Sequence, residues 1–149
     1  MTIVSEIIEM ASGEAGQQGG AVSEAARQEL EGLLGLMLSD CDDISGGVIS
    51  ASDGHAIAER LQSGLDKHRF AAMSSALLAL SDNVARETHD GGVKNVLIQS
   101  DSGNVLILHA GNQRLLTVFC RANANLGMSL SHASKCAAEI AELNLNMDT

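Results

Sequence analysis

Proline, tryptophan and tyrosine are absent from this chain, and phenylalanine occurs only twice among its 149 residues. The core must therefore be built from aliphatic side chains and methionine. The chain also has too few aromatic residues to form a surface on which the bases of a single-stranded nucleic acid stack. No apolar run reaches the length of a transmembrane helix, and the N-terminus lacks the regions that define a signal peptide. We therefore expect a cytoplasmic protein with no membrane span.

Basic residues are also scarce: nine lysines and arginines oppose nineteen aspartates and glutamates, for a net charge of −10. Residues 1–45 carry −8 of that charge, because nine acidic groups there face a single basic one, Arg27. Nucleic acids and anionic membranes would be repelled, so neither is an expected partner. The three cysteines form no C-x-x-C pair, and reduced cytosolic thiols are the simplest interpretation.

Composition divides the chain into two tails and one domain. Residues 1–22 are an acidic, Gly/Gln-rich N-terminal segment with a short amphipathic stretch at 3–10. We expect this segment to be a poorly ordered tail; the alternative is a short helix on a flexible tether that docks on this protein or a partner. Residues 23–145 form the predicted domain, and 146–149 a C-terminal tail.

Five short apolar segments bounded by turn residues predict five β-strands. Asp53-Gly54 is a strong hairpin signal between the first two, and the later loops have hairpin length. The last three segments are apolar almost throughout, which indicates that both faces of their sheet are covered. The predicted strands are 48–52, 55–61, 93–99, 105–110 and 114–120.

Three predicted helices supply that cover. Ser23 can cap the first, Asp66 the second, and either Asn123 or Asn125 the third. The second helix is expected to end near His89. The prediction is an α/β (α+β) protein in which a five-stranded antiparallel sheet is sandwiched between helices, in the order α-β-β-α-β-β-β-α.

The second predicted helix is apolar on more than one side, which indicates burial on more than one side. One sector is expected to face the sheet, and it contains Phe70, Met73, Leu77, Leu80 and Val84. A second sector of small residues is expected to pack against the same helix of a second copy, and it contains Ala71, Ser74, Leu78, Ser81 and Ala85. A polar sector is the candidate surface for another partner, and it contains Ser75, Asp82 and Arg86.

Several segments, in this order along the chain, resemble the roadblock/dynein light chain family, bacterial type, which includes gliding-motility regulators. They are the hairpin at 47–58, the Ala/Leu-rich helix at 70–80, the strands at 96–98 and 105–108, and Ala124-Asn125-Leu126-Gly127 at the start of the last helix. The resemblance covers about residues 25–142. The acidic N-terminus and the lack of proline depart from the family pattern.

The resemblance implies a homodimer in which the central helix and the third strand pair across a two-fold axis. The expected dimer interface therefore extends from the helix to Val93, Asn95 and Leu97. Bacterial members of the family bind or regulate Ras-like small GTPases, whereas others are dynein light chains or scaffold subunits. The family has no catalytic residues to carry over.

Three features could indicate chemistry, and each falls short. Asp40-Cys41-Asp42-Asp43 is not followed by the ligands that an EF-hand loop requires. His132 and Cys136 share a helix face, but two ligands do not make a zinc site. Cys120 has no neighbour in sequence that would activate it as a nucleophile. Glycine motifs for phosphate binding are absent too, so we predict a non-enzymatic protein that needs no metal or cofactor.

The leading hypothesis is a homodimeric protein-interaction module that regulates or scaffolds a Ras-like small GTPase. The alternative is a small-ligand-sensing or signalling domain with similar α/β/α layering. An exposed arginine could also assist hydrolysis in a partner's active site. The candidates by residue type are Arg60, Arg69, Arg86 and Arg121.

Overall fold

The computed structural model describes residues 22–143. Apart from residue 22, the predictions for the N-terminal segment fall outside this range, as do those for residues 144–149. The described residues form three helices and five strands. They are α1 (Glu24–Asp40), β1 (Ile44–Ala51), β2 (Ala56–Arg60), α2 (Lys67–His89), β3 (Asn95–Ser100), β4 (Gly103–His109), β5 (Arg114–Arg121) and α3 (Leu126–Glu142). The predicted order of elements is confirmed.

Each helix begins at a side-chain cap. Oxygen atoms of Ser23, Asp66 and Asn125 accept a hydrogen bond from a backbone N–H in the first turn, at 3.2, 2.9 and 3.0 Å respectively. Asn125, and not Asn123, therefore starts α3. Helix α2 ends at His89, and the next residue, Asp90, has a φ of 52° in the left-handed region. Local sequence alone therefore sets the start of every helix and the end of α2.

All strand pairs in the sheet are antiparallel, and the strand order is β2-β1-β5-β4-β3. Strands β2 and β3 are therefore its two edges. Helices α1 and α3 cover one face with the larger core cluster, in which Leu30, Leu116 and Ile140 are fully buried. Helix α2 covers the other face over a smaller cluster of Leu78, Ile107 and Leu115. The predicted sandwich is confirmed.

Glycines explain why β1 begins at Ile44, whereas the sequence placed its start after Gly46 and Gly47. A Cβ on Gly47 would lie 3.1 Å from Leu34 Cδ2, and one on Gly46 would lie 2.8 Å from the carbonyl oxygen of Arg60. The two glycines therefore let α1 and β2 approach β1 closely and do not interrupt the strand.

Candidate interaction surface

Helix α2 contacts the sheet through its small residues. Ala71 and Leu78 are buried, and Leu78 packs on Ile107 and Leu115 from the strands below. Small side chains allow a helix axis to approach a sheet whose own side chains are bulky. The assignment of this sector to a dimer interface is therefore wrong for Ala71, Ser74 and Leu78, because their own sheet covers them.

A buried polar pair fixes the same contact. The hydroxyl of Thr117 on β5 donates a hydrogen bond to Ser74 Oγ at 2.7 Å. Beside it, Ser75 Oγ donates to the carbonyl oxygen of Ser52 at 2.6 Å, just beyond β1. Ser75 is buried by this contact, so its assignment to a partner-facing surface is wrong. Satisfied polar pairs of this kind hold a helix in one rotation about its axis.

Large apolar side chains lie on the outer side of α2. Leu77 is 39% exposed, Leu80 is 45% exposed and Val84 is 63% exposed. The prediction that these residues face the sheet is wrong, although Phe70 in the same predicted sector does contact it, with its ring 5.0 Å from that of Phe119. We call Leu77, Leu80 and Val84 the outer apolar stripe. Met73, Ser81 and Ala85 beside it are half-buried.

Strand β3 is the edge of the sheet on one side, and it also carries exposed apolar residues. Leu97 is 42% exposed and Ile98 is 38% exposed. Val96 pairs with Ile107 of β4, which in turn contacts Leu78 of α2. The middle of α2 and the middle of β3 therefore lie at the same level, and the outer apolar stripe and the open edge form one candidate interaction surface.

Asp82 joins the C-terminal half of α2 to the start of β3. Its Oδ1 accepts a hydrogen bond from the backbone N–H of Val93 at 3.0 Å, and its Oδ2 lies 3.0 Å from His109 Nε2. The side chain of Asp82 is 14% exposed, and its two contacts connect α2 to the start of β3 and to β4. The prediction that Asp82 faces a partner is therefore wrong. Arg86 is exposed, and its assignment as a partner-facing residue stays a prediction. Asn95 is half-buried on β3.

The arginines proposed as trans-acting groups differ in their surroundings. Arg60, Arg69 and Arg86 are exposed. Arg121 is also exposed, but its Nε donates a hydrogen bond to the carbonyl oxygen of Asp42 at 2.8 Å, which ties β5 to the loop after α1. Arg69 lies in the first turn of α2, at the N-terminal end of the helix that carries the outer apolar stripe.

All three thiols are buried. Burial raises the pKa of Cys136 to about 12 and also raises the pKa of Cys120. A thiolate is the reactive form, so neither sulfur is poised for nucleophilic attack near neutral pH. Cys136 lies over α1, where its Sγ is 3.8 Å from the carbonyl oxygen of Leu33. Within residues 22–143, no group of three or more metal-ligating side chains occurs.

Depressions in the surface offer little to a small ligand. A cleft of about 480 Å³ is formed by the β2–α2 loop, and its lining residues all come from 59–67. A groove of about 40 Å³ between α1 and α3 passes His132 and Cys136. The first is an open cleft of one loop and the second holds little more than a water molecule. Neither brings together polar groups from several elements.

The described residues thus form a protein-interaction module of the three-layer α/β/α class, with an apolar helix face beside an open sheet edge. Residues 31–119 match the model of the Roadblock/LC7 domain, and the chain belongs to that family. The family that the sequence resembled is confirmed. Within the described residues, no helix is both long and apolar enough to cross a bilayer.

Relatives by sequence include two uncharacterised proteins of Methanocaldococcus jannaschii. MJ1340 is 29% identical over 105 residues, which cover 70% of this chain and 91% of that protein. MJ0310 is 30% identical over 93 residues, which cover 62% of this chain and 81% of that protein. These relatives do not add a function.

Solved structures with the same fold include gliding-motility proteins. Myxococcus xanthus MglB has a TM-score of 0.73 at 14% identity, over 80% of this chain and 89% of that chain. The gliding protein MglB of Thermus thermophilus has a TM-score of 0.72 at 14% identity, and the match covers 81% of this chain and 92% of that chain. A Roadblock/LC7 domain of Streptomyces avermitilis has a TM-score of 0.69 at 18% identity, over 74% and 92%. Identities this low indicate a shared fold.

Proposed function

We propose that this protein is a non-enzymatic homodimeric module of the cytoplasm that regulates or scaffolds a Ras-like small GTPase. The observation that carries the dimer is the outer apolar stripe, where three large side chains are 39% to 63% exposed on one helix. Apolar side chains that are contiguous on a surface usually mark a contact with another protein. The family to which the chain belongs supports the GTPase partner.

The second copy fits this surface better than an unrelated partner does. The stripe and the β3 edge lie side by side, so one two-fold axis can pair α2 with α2 and β3 with β3 at once. The antiparallel edge pairing would give every outward backbone N–H and C=O of β3 a partner, and it would extend the sheet without a break. Ile98 on the α2 face of the sheet and Leu97 on the opposite face would each be flanked by the partner's β3.

Substitution of Leu80 by glutamate tests the dimer. Leu80 is 45% exposed in one copy, so the change leaves the monomer fold intact but places two carboxylates in the proposed interface. We expect a dimer dissociation constant at least about a hundredfold higher, measured by sedimentation equilibrium. Leu36→Glu is the matched control, since Leu36 is 59% exposed on α1 in the opposite layer. Equal dissociation constants for the two variants would place the interface elsewhere.

The GTPase partner is tested with the dimer as bait. Ras-like small GTPases from the same genome would be loaded with GDP or with a non-hydrolysable GTP analogue and passed over the immobilised protein. We expect at least one of them to be retained in a nucleotide-dependent manner. The Leu36→Glu dimer serves as a second bait of normal assembly. Absence of any retention in either nucleotide state would shift the function to a scaffold of another kind.

A small-ligand sensor remains the other candidate function, and the cleft of the β2–α2 loop is the feature that favours it. Its lining includes the charged residues Glu59 and Lys67, together with Gly64. The interaction module is the stronger proposal, because ligand sites usually recruit polar groups from several elements and this cleft is lined by one loop and its flanking residues.

A further inference from the structure

Two exposed charges of opposite sign lie along the same line on α2. Arg69 is in its first turn and Glu87 in its last, and eighteen residues separate them. Eighteen residues make five full turns of an α-helix, so the two side chains project in the same direction about 27 Å apart. Among the described residues, neither has an ion-pair partner within the chain. The outer apolar stripe lies between them.

The midpoint of this charged pair lies within half a residue of the midpoint of the apolar residues on this side of α2, which are Met73, Leu77, Leu80 and Val84. Residue 78 lies halfway between Arg69 and Glu87. The point halfway between Leu77 and Leu80 lies half a residue beyond it. Two α2 helices packed antiparallel about this point would place Leu77 against Leu80 of the partner subunit. They would also place each Arg69 near a Glu87. Val96 of β3 lies at the same level along the sheet, because it pairs with Ile107, which packs with Leu78 of α2.

We infer that Arg69 of one copy forms an ion pair with Glu87 of the partner subunit, twice per dimer, and that these pairs fix an antiparallel register of the two α2 helices. This inference rests on the proposed homodimer. It assigns Arg69 and Glu87 as specificity-determining residues for self-recognition at the two ends of the stripe.

The opposite orientation is disfavoured by the same charges. In a parallel pair, Arg69 would face a second Arg69 and Glu87 a second Glu87, so both ends would repel. Apolar contacts between leucines and valine discriminate poorly between the two orientations, because they are non-directional. The antiparallel pairing of β3 also requires antiparallel α2 helices, so the end charges reinforce this orientation and match the two helices in register, while the stripe supplies most of the affinity.

Crossed charge reversals provide the test. In Arg69→Glu and in Glu87→Arg, both end contacts of a homodimer become repulsive, and we expect each homodimer to be weakened about tenfold. In an equimolar mixture of the two variants, a heterodimer has attractive contacts at both ends. We expect native mass spectrometry to show this heterodimer in excess over both homodimers. Arg69→Glu/Glu87→Arg should form a homodimer as tight as the unsubstituted protein.

Matched charge changes on α3 serve as controls, and failure of the dimer can be distinguished from failure of the ion pairs. Lys135→Glu and Glu142→Arg make the same charge changes at exposed positions of α3, and they should neither weaken the dimer nor form a preferred heterodimer. The selectivity should also decline as salt is added. An unsubstituted protein that is monomeric would overturn both the proposed dimer and this inference. A dimer whose two single variants self-associate as tightly as the original would overturn only the ion pairs.

Discussion

Thr117 donates a hydrogen bond to Ser74 across the boundary between β5 and α2, where both residues are buried. This bond lies in a largely apolar layer, and a hydrogen bond, unlike an apolar contact, has a specific position and direction. Rotation of α2 about its axis would break it. The bond therefore keeps the small residues of α2 on the sheet and the outer apolar stripe on the surface.

Thr117→Val keeps the shape of the side chain and removes the donor. We expect a loss of about 1–3 kcal/mol in the free energy of unfolding, because the Ser74 hydroxyl is left buried without its partner. Ser74→Ala combined with Thr117→Val removes both polar groups, and it should be less destabilising than the sum of the single changes. Urea denaturation of the unsubstituted protein, the two single variants and the double variant completes a double-mutant cycle. Strict additivity would show that the bond is energetically unimportant.

Leu77 and Leu78 are neighbours in sequence with opposite environments. Leu78→Ala should lower the free energy of unfolding by about 2–5 kcal/mol, since it opens a cavity against Ile107 and Leu115. Leu77→Ala is the control, and it should cost much less in the monomer because the side chain is 39% exposed. Thermal unfolding at low protein concentration measures both. A larger loss at Leu77 than at Leu78 would contradict the orientation of α2.

Asn125 caps α3 and also binds the loop after α1. Its side chain accepts from Met128 N–H at 3.0 Å, and its own N–H donates to Asp43 Oδ2 at 2.9 Å. We expect Asn125→Ala to cost about 1 kcal/mol, and Asn125→Asp to retain most of the stability because aspartate is also a good cap. Chemical denaturation would distinguish them. No loss of stability in Asn125→Ala would mean that the cap contributes nothing.

Cys136 gives the protein a predictable alkaline instability. Burial raises its pKa from the ordinary value of 9.0 to about 12, so the unfolded chain loses this proton at lower pH than the folded one. Its contribution to stability is complete below pH 9 and is lost as pH rises from there towards 12. We expect the decline in unfolding free energy over that range to be shallower in Cys136→Ala. Identical slopes for the two proteins would contradict the raised pKa.

Local signals in the sequence were sufficient for the order of elements. Ser23, Asp66 and Asn125 act within one turn of the chain, so their role as caps does not depend on distant contacts. The start of β1 was misplaced because Gly46 and Gly47 can mark either a break or a close approach. Only the positions of Arg60 and Leu34 decide between these two meanings.

The orientation of α2 could not be read from its periodicity. Two of its sectors are apolar, and the larger side chains were assigned to the sheet because burial of large residues is usually the more favourable. The strands beneath supply large side chains through Ile107 and Leu115, so apart from Leu78 the sheet-facing side of α2 is made mainly of small residues. The hydrogen bond from the Val93 N–H to Asp82 was not predicted either, because no local sequence signal links a helix side chain to the backbone that precedes a later strand.

Strand β2 closes the other end of the sheet, and it is only five residues long. Its last two residues, Glu59 and Arg60, are charged, and short charged edges resist the addition of further strands. In a pair of copies joined along β3, the two β2 strands are the outer ends of a ten-stranded sheet. A two-fold contact also consumes the surface that forms it. Such an assembly is self-limiting, and pairing through β3 cannot propagate into a filament.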